Sequence, residues 1–175
     1  PREVFSPETH PRAYLLVLVF VNVALAEEAG RLCVLAPFSL IAKSILARRA
    51  NAPDAAALPE QAPAAGGRFS AAAGLAVGLG FALVESVSYG GAGFSAALLR
   101  VLSAVPLHGS CGARVGAAAA NFRTSPLSAA VSFLSAVFIH GLYDLILIRG
   151  SPPLLAVIIA LAAFVSSARR LSARL

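Results

Sequence analysis

The chain has no methionine, position 1 included, only two cysteines, and few charges: Asp, Glu, Lys and Arg make up 13% of its 175 residues, against about 25% in a soluble domain. So few charges exclude a water-soluble globule. The two thiols, Cys33 and Cys111, both fall in apolar runs and force no disulfide; a pair of small buried thiols is expected, and it says nothing of the compartment. The missing methionine implies a processed or trimmed chain whose absent leader would be a targeting segment. Basic residues outnumber acidic ones, 14 against 8, yet they lie beside apolar segments instead of forming one stripe. Membrane topology and anionic lipid account for them, and nucleic acid is excluded as a partner.

What is abundant is hydrocarbon. Hydrophobic residues make up 58% of the chain and mean hydropathy is +0.82. In lipid such segments must be helical, because an open backbone finds no partners there. The expected fold is an all-α, polytopic transmembrane helical bundle, a single domain over residues 1–175 with five spans, at 14–36, 70–89, 94–120, 127–148 and 154–167. The last, at 14 residues, is short beside the roughly 20 a crossing needs. Residues 1–12 read as an exposed N-terminal segment. Residues 38–49 (FSLIAKSILARR) read as a basic juxtamembrane helix or as a continuation past a kink at Pro37,. Residues 50–69 read as a flexible Pro/Ala-rich linker, and 169–175 as a basic tail,. Gly74, Gly78 and Gly80 allow close helix contact,.

Five spans put the termini on opposite sides. Lys43, Arg48, Arg49, Arg68, Arg114, Arg123, Arg169, Arg170 and Arg174 then share one side, and Arg2, Arg12 and Arg149 the other. Nine against three assigns the C-terminus to the cytoplasmic-type side (cytoplasm, stroma or matrix) of an integral membrane protein.

Four polar clusters interrupt the apolar spans: Glu27 and Glu28 with Arg31, Phe81 with Glu85, Arg100 with His108, and His140 with Asp144. An ionisable side chain in a span is costly and marks a functional site by default. Glu27 and Arg31, Phe81 and Glu85, and His140 and Asp144 are each four apart and share a helix face,. Each span therefore carries a polar stripe, and four stripes turned from lipid converge on one cavity. Gly30, Gly109, Gly112 and Gly141 would leave room there for a ligand or water. Blander readings exist for parts of the set: an intrahelical ion pair for Glu27 and Arg31, a structural hydrogen bond for His140 and Asp144, and packing or interfacial roles for Phe81, Tyr89 and Tyr143.

In sequence order the clusters read EEAGR (27–31), GFALVESVSYG (80–90), RVLSAVPLHGSCG (100–112) and HGLYD (140–144). This series resembles the PrsW family of intramembrane metalloproteases, which is related in organisation to the CAAX prenyl proteases. The family pattern runs EExxK, then GFxxxEN with a following Tyr-Gly, then an Arg before a PxH-like segment ending in Gly, then HxxxN or HxxxD. Arg31 stands where the family usually has Lys, and Ser86 where it usually has Asn.

The resemblance implies peptide hydrolysis in or beside the bilayer, on membrane protein substrates. Amide hydrolysis needs an activated water, an oxyanion stabiliser and an acid for the leaving amine. Glu28 or Glu27 is the candidate base, since two adjacent carboxylates in a low-dielectric site cannot both ionise easily. His108 and His140 are candidate metal ligands or oxyanion donors, with Glu85 as a third ligand in a donor set that suits a divalent metal such as zinc. Asp144 fixes the His140 tautomer or binds metal itself, and Arg31 and Arg100 neutralise carboxylates. Two other classes stay open: a catalytically silent relative serving as a subunit of a membrane complex, and a bundle whose two histidines ligate haem or chlorophyll. One geometric tension stands out, because Glu85 falls near the end of its span whereas Glu27 and His108 fall nearer the middle of theirs. Convergence then requires a longer, tilted or offset second helix.

Overall fold

A computed structural model describes residues 7–50, 62–88 and 93–172, and for residues 50 and 62–65 the backbone alone. Tyr89 and Gly90 of the second motif, and most of the expected linker, lie outside the described residues.

Among those residues there is no strand, and five helices are long and apolar enough to cross a membrane. The first is composite: α1 (Pro11–Val17) passes into a π-helical segment (Leu18–Leu25) and then α2 (Ala26–Ala50). Then come α3 (Ala62–Ser88), α4 (Phe94–Asn121), α5 (Pro126–Ile148) and α6 (Pro153–Ser172). Pro11 of α1 and Pro126 of α5 fall at helix starts, where a missing N–H costs nothing,, whereas Pro37 and Pro106 lie inside α2 and α4. Gly93, with φ of 92°, opens α4, and Gly150, with φ of 68°, closes the turn after α5; both backbone conformations favour glycine.

Of the two readings of residues 38–49 the structure selects continuation, and two other boundaries differ from the sequence reading. The first helix does not stop at Pro37 but runs on to Ala50 with the proline inside it, so residues 38–49 continue it. Of the expected linker, Ala62–Phe69 is helical and begins α3; alanine is the best helix former and Pro63 sits in the first turn, where it is tolerated. The last span is also not short. Arg169 and Arg170 occupy the final turn of a 20-residue helix, where long basic side chains reach for the interface and cations offset the helix dipole.

Apart from a core that includes Leu35, Leu107 and Val115, large apolar side chains lie outside and small ones inside. Val87, Phe94 and Leu127 are among the most exposed hydrophobic residues, whereas the interior holds Ala82, Ala104, Ala118, Ala136, Ala156 and Ala160. Lipid is as apolar as leucine, so helices in it associate through close backbone approach instead. Helix α4 is the hub, buried along nearly its whole length from Ser103 to Ala120 and packed on α2, α3, α5 and α6. Against α3 it uses small residues four apart on both helices. A Cβ on Gly74 would strike the Gly112 carbonyl, one on Gly112 the Gly74 carbonyl, one on Gly116 the Ser70 carbonyl, and one on Gly78 the His108 carbonyl. Gly80 has open space around it and takes no part. Ser39 and Ser70 tie α2 to α3 by a 2.9 Å hydrogen bond, and Lys43 Nζ donates to the Ala120 carbonyl at the end of α4.

The glycines expected to open a cavity do something else. Gly109 admits Leu75 and Leu79, Gly112 admits the α3 backbone, Gly141 admits the Phe20 ring, and Gly30 faces open space. Cys111 is buried as expected, but Cys33 is exposed, and the two thiols are free.

Candidate active site

Gly78 against the His108 carbonyl fixes the depth of α4 relative to α3, and this brings Glu85 level with His108. The offset that the sequence demanded is met, and all four polar clusters meet inside the bundle. Arg31 is the central link. Its Nη1 pairs with Glu28 Oε1, its Nη2 lies 3.2 Å from Glu27 Oε2 and 2.8 Å from His108 Nδ1, and its guanidinium covers the Phe81 ring, 4.4 Å from the centroid. Such stacking is a cation–π contact.

The histidine tautomers follow from their partners. A guanidinium has no lone pair to offer, so His108 Nδ1 accepts from Arg31. His108 Nε2–H then donates to Glu85 Oε2 at 2.9 Å, and Arg100 Nη2 holds the other Glu85 oxygen at 2.9 Å. His140 Nδ1–H donates to Glu28 Oε1 at 2.8 Å, which leaves His140 Nε2 facing Asp144 Oδ2 at 3.4 Å and Glu27 Oε2 at 3.8 Å. The two imidazoles touch edge to face, with centroids 4.9 Å apart and planes at 88°. The contact leaves no slot for a flat macrocycle between these two rings, so the haem or chlorophyll reading is not favoured.

A cavity of about 300 Å³ lies over this constellation, lined by Glu27, Glu85, Arg100, His108, His140 and Asp144 together with Val19, Val23, Ala104 and Tyr143. Of the eight expected site residues, six therefore face the cavity and two stand behind it. Glu28 has 0% of its surface exposed and Arg31 is buried; both act on the histidines from behind. The glutamate that reaches the cavity is Glu27, whose side chain is 28% exposed.

Charge and donor chemistry both fit a metal cation. Four carboxylates (Glu27, Glu28, Glu85, Asp144) face two guanidiniums (Arg31, Arg100), which with every carboxylate ionised and both imidazoles neutral would leave a surplus of two negative charges. Uncompensated buried charge is costly. Glu27, His108 and His140 each offer a ligand atom, and these atoms lie within 4.8 Å of one another. Asp144 Oδ2 is buried with no hydrogen-bond partner beside the outward His140 nitrogen, so a lone pair and two carboxylate oxygens point at the same space. Two histidines and a carboxylate are a donor set that catalytic zinc uses. His140, with its second nitrogen donating to Glu28, already has the carboxylate–histidine arrangement of a metal ligand. His108 can ligate through Nδ1 by releasing Arg31 while Nε2–H stays on Glu85; ligation through Nε2 would shift the proton to Nδ1 and displace Arg31 as well.

Some of the site was not singled out as such in the sequence. Tyr143, three residues after His140 on the same face, packs on the wall; Ser103 Oγ donates to the Leu99 carbonyl at 2.7 Å, so the Tyr143 hydroxyl, 2.8 Å away, donates to Ser103. Val19 and Val23 line the cavity from the π-helical segment, whose altered helical phase leaves no trace in a run that is apolar but for Asn22. Ser86 does not line the cavity and its Oγ has no hydrogen-bond partner, so the position supplies no amide to the site.

A family model described as PrsW family intramembrane metalloprotease matches residues 2–168, nearly the whole chain. No curated protein matches the chain, and no solved structure does.

Proposed function

The chain belongs to the PrsW family of intramembrane metalloproteases, and from that premise we propose that it hydrolyses peptide bonds of membrane protein substrates at the Glu27/His108/His140 cavity. The observation that carries this reading is the convergence of two histidines and a carboxylate, with ligand atoms within 4.8 Å of one another, under a cavity that reaches between helices.

Glu27, His108 and His140 would hold a divalent metal, zinc being the one this donor set suits. Such a metal supplies Lewis acidity and makes bound water acidic. Asp144, with its unpartnered Oδ2 beside His140 Nε2, accepts the proton from the attacking water and returns it to the leaving amine. Arg100 lines the same cavity and is the cation available to a developing oxyanion. Glu28 is a positioning residue: it takes the His140 Nδ1 proton and so presents Nε2 to the cavity. Arg31 holds Glu28 and Glu27 in one frame and occupies His108 Nδ1 until that nitrogen is needed as a ligand. The end of the bundle that carries Lys43, Arg68, Arg114 and Arg170 faces the cytoplasmic-type side, so a fluorescent protein fused to the C-terminus is expected to fluoresce; a reporter active only across the membrane, working at that terminus, would reverse the orientation.

The test of function is reconstitution of the purified chain in liposomes with single-pass membrane substrates, products being mapped by mass spectrometry. Cleavage is expected, with loss on chelation and recovery on readdition of zinc. An intact, metal-loaded chain that cleaves none of them would favour a silent, assembly role instead. Glu28→Gln separates positioning from chemistry. It should weaken metal affinity about 10- to 100-fold, the usual cost of losing a partner behind a ligand, and excess metal should restore cleavage.

A further inference from the structure

A second cavity, of about 400 Å³, lies among α3, α4, α5 and α6, at the other end of α3 from Glu85. Residues 68 and 85 are separated by about 25 Å of helix at 1.5 Å per residue. Three arginines line it from three helices: Arg68 of α3, Arg114 of α4 and Arg170 of α6. No carboxylate lines it among the described residues.

Arg114 is the unusual member. Only 6% of its surface is exposed, deep in the hub helix. Its Nη2 makes a 3.3 Å hydrogen bond to Ser166 Oγ, a neutral partner, while its Nε is buried with none, as is that of Arg68. Among the described residues no counter-charge lines the cavity beside it; a guanidinium so held out of water is expensive, and the arginines on the other two helices add to the cost. A neutral serine does not offset this. The fourth wall is the start of α5, where Ser125 makes no side-chain cap and Leu127 and Ser128 line the cavity. The free N–H groups of that first turn add a further positive end.

We propose that this cavity binds a phosphate group, taken from an anionic phospholipid of the surrounding leaflet. Guanidiniums match phosphate oxygens bidentately, and a helix start is a ready phosphate cradle. The mouth favours an amphiphile over a free ion: Leu127, 78% exposed, and Val131 line the rim, which gives acyl chains an apolar surface beside a charged interior. Binding there would also clamp α3, α5 and α6 around the hub that carries His108.

The test is native mass spectrometry of the full chain in detergent with phosphatidylglycerol or phosphatidylcholine added, and with inorganic phosphate as competitor. One phosphatidylglycerol per chain is expected to be retained over phosphatidylcholine. Arg68→Gln with Arg170→Gln, both nearer the surface, should weaken retention about fivefold per arginine, the effect of one basic residue at an anionic membrane surface. Arg114→Gln should weaken it further. Displacement by millimolar phosphate, with phosphate alone raising the melting temperature of wild type but not of the double variant, would keep the site and make its ligand a soluble phosphate. Equal retention of both lipids with no effect of phosphate, or unchanged preference in the double variant, would overturn the proposal.

Discussion

Glu27→Gln is expected to lower peptide-bond cleavage by roughly 10³-fold, within the range a positioned acid–base or metal-ligating group contributes, while the protein remains inserted and folded. Glu27 lines the cavity and its Oε2 lies 3.8 Å from His140 Nε2, so the substitution removes a ligand charge where the chemistry is proposed. It does so gently, since Gln keeps the volume and can still accept from Arg31. The neighbour Glu28 provides the internal control. Both glutamates stand in one motif, but only Glu27 reaches the cavity, and excess metal should rescue Glu28→Gln and not Glu27→Gln. The check is initial rate against metal concentration in proteoliposomes. Equal loss and equal rescue in the two variants would contradict the division of roles.

Arg31→Met is expected to destabilise the bundle by about 3–5 kcal/mol, the cost of leaving one partner of a buried ion pair uncompensated. Arg31 is bound at once to Glu27, Glu28 and His108 and stacks on Phe81; without it the fully buried Glu28 keeps only His140. Arg31→Lys retains the charge, but a single ammonium cannot reproduce the planar fork that bridges three groups, so its loss should be intermediate. Adding Glu28→Leu to Arg31→Met should recover part of the stability by removing the stranded charge, as replacement of both partners does elsewhere. Thermal unfolding in one detergent gives all four values. A double variant less stable than Arg31→Met alone would show that the carboxylate was not the cost.

How much of this was legible in the sequence varies by element. The helical bundle and its five spans were, because lipid permits few alternatives. That the eight polar residues would come together was too, since an ionisable side chain in a span is conspicuous and spacing by four puts such groups on one face. The ranking of Glu27 against Glu28 was not: adjacent residues point about 100° apart on a helix, and which one faces the cavity depends on rotation set by neighbouring helices. The glycines misled for a related reason. Gly109, Gly112 and Gly141 flank the histidines, yet each is filled by α3 or by Phe20, because small residues in a bundle serve backbone approach before they leave room. Arg68 and Arg114 entered the sequence reading only as topology signals. Their meeting around a shared cavity, with Arg114 buried, needed the helices in place.

The most direct test of the central claim, that the four polar clusters form one metal-binding catalytic site, is metal analysis of the purified wild-type chain beside His140→Ala. One divalent ion per chain in wild type, with its loss in the variant together with cleavage, is the predicted result. Wild-type protein that cleaves substrate while carrying no metal, or a variant that keeps a full complement, would contradict it.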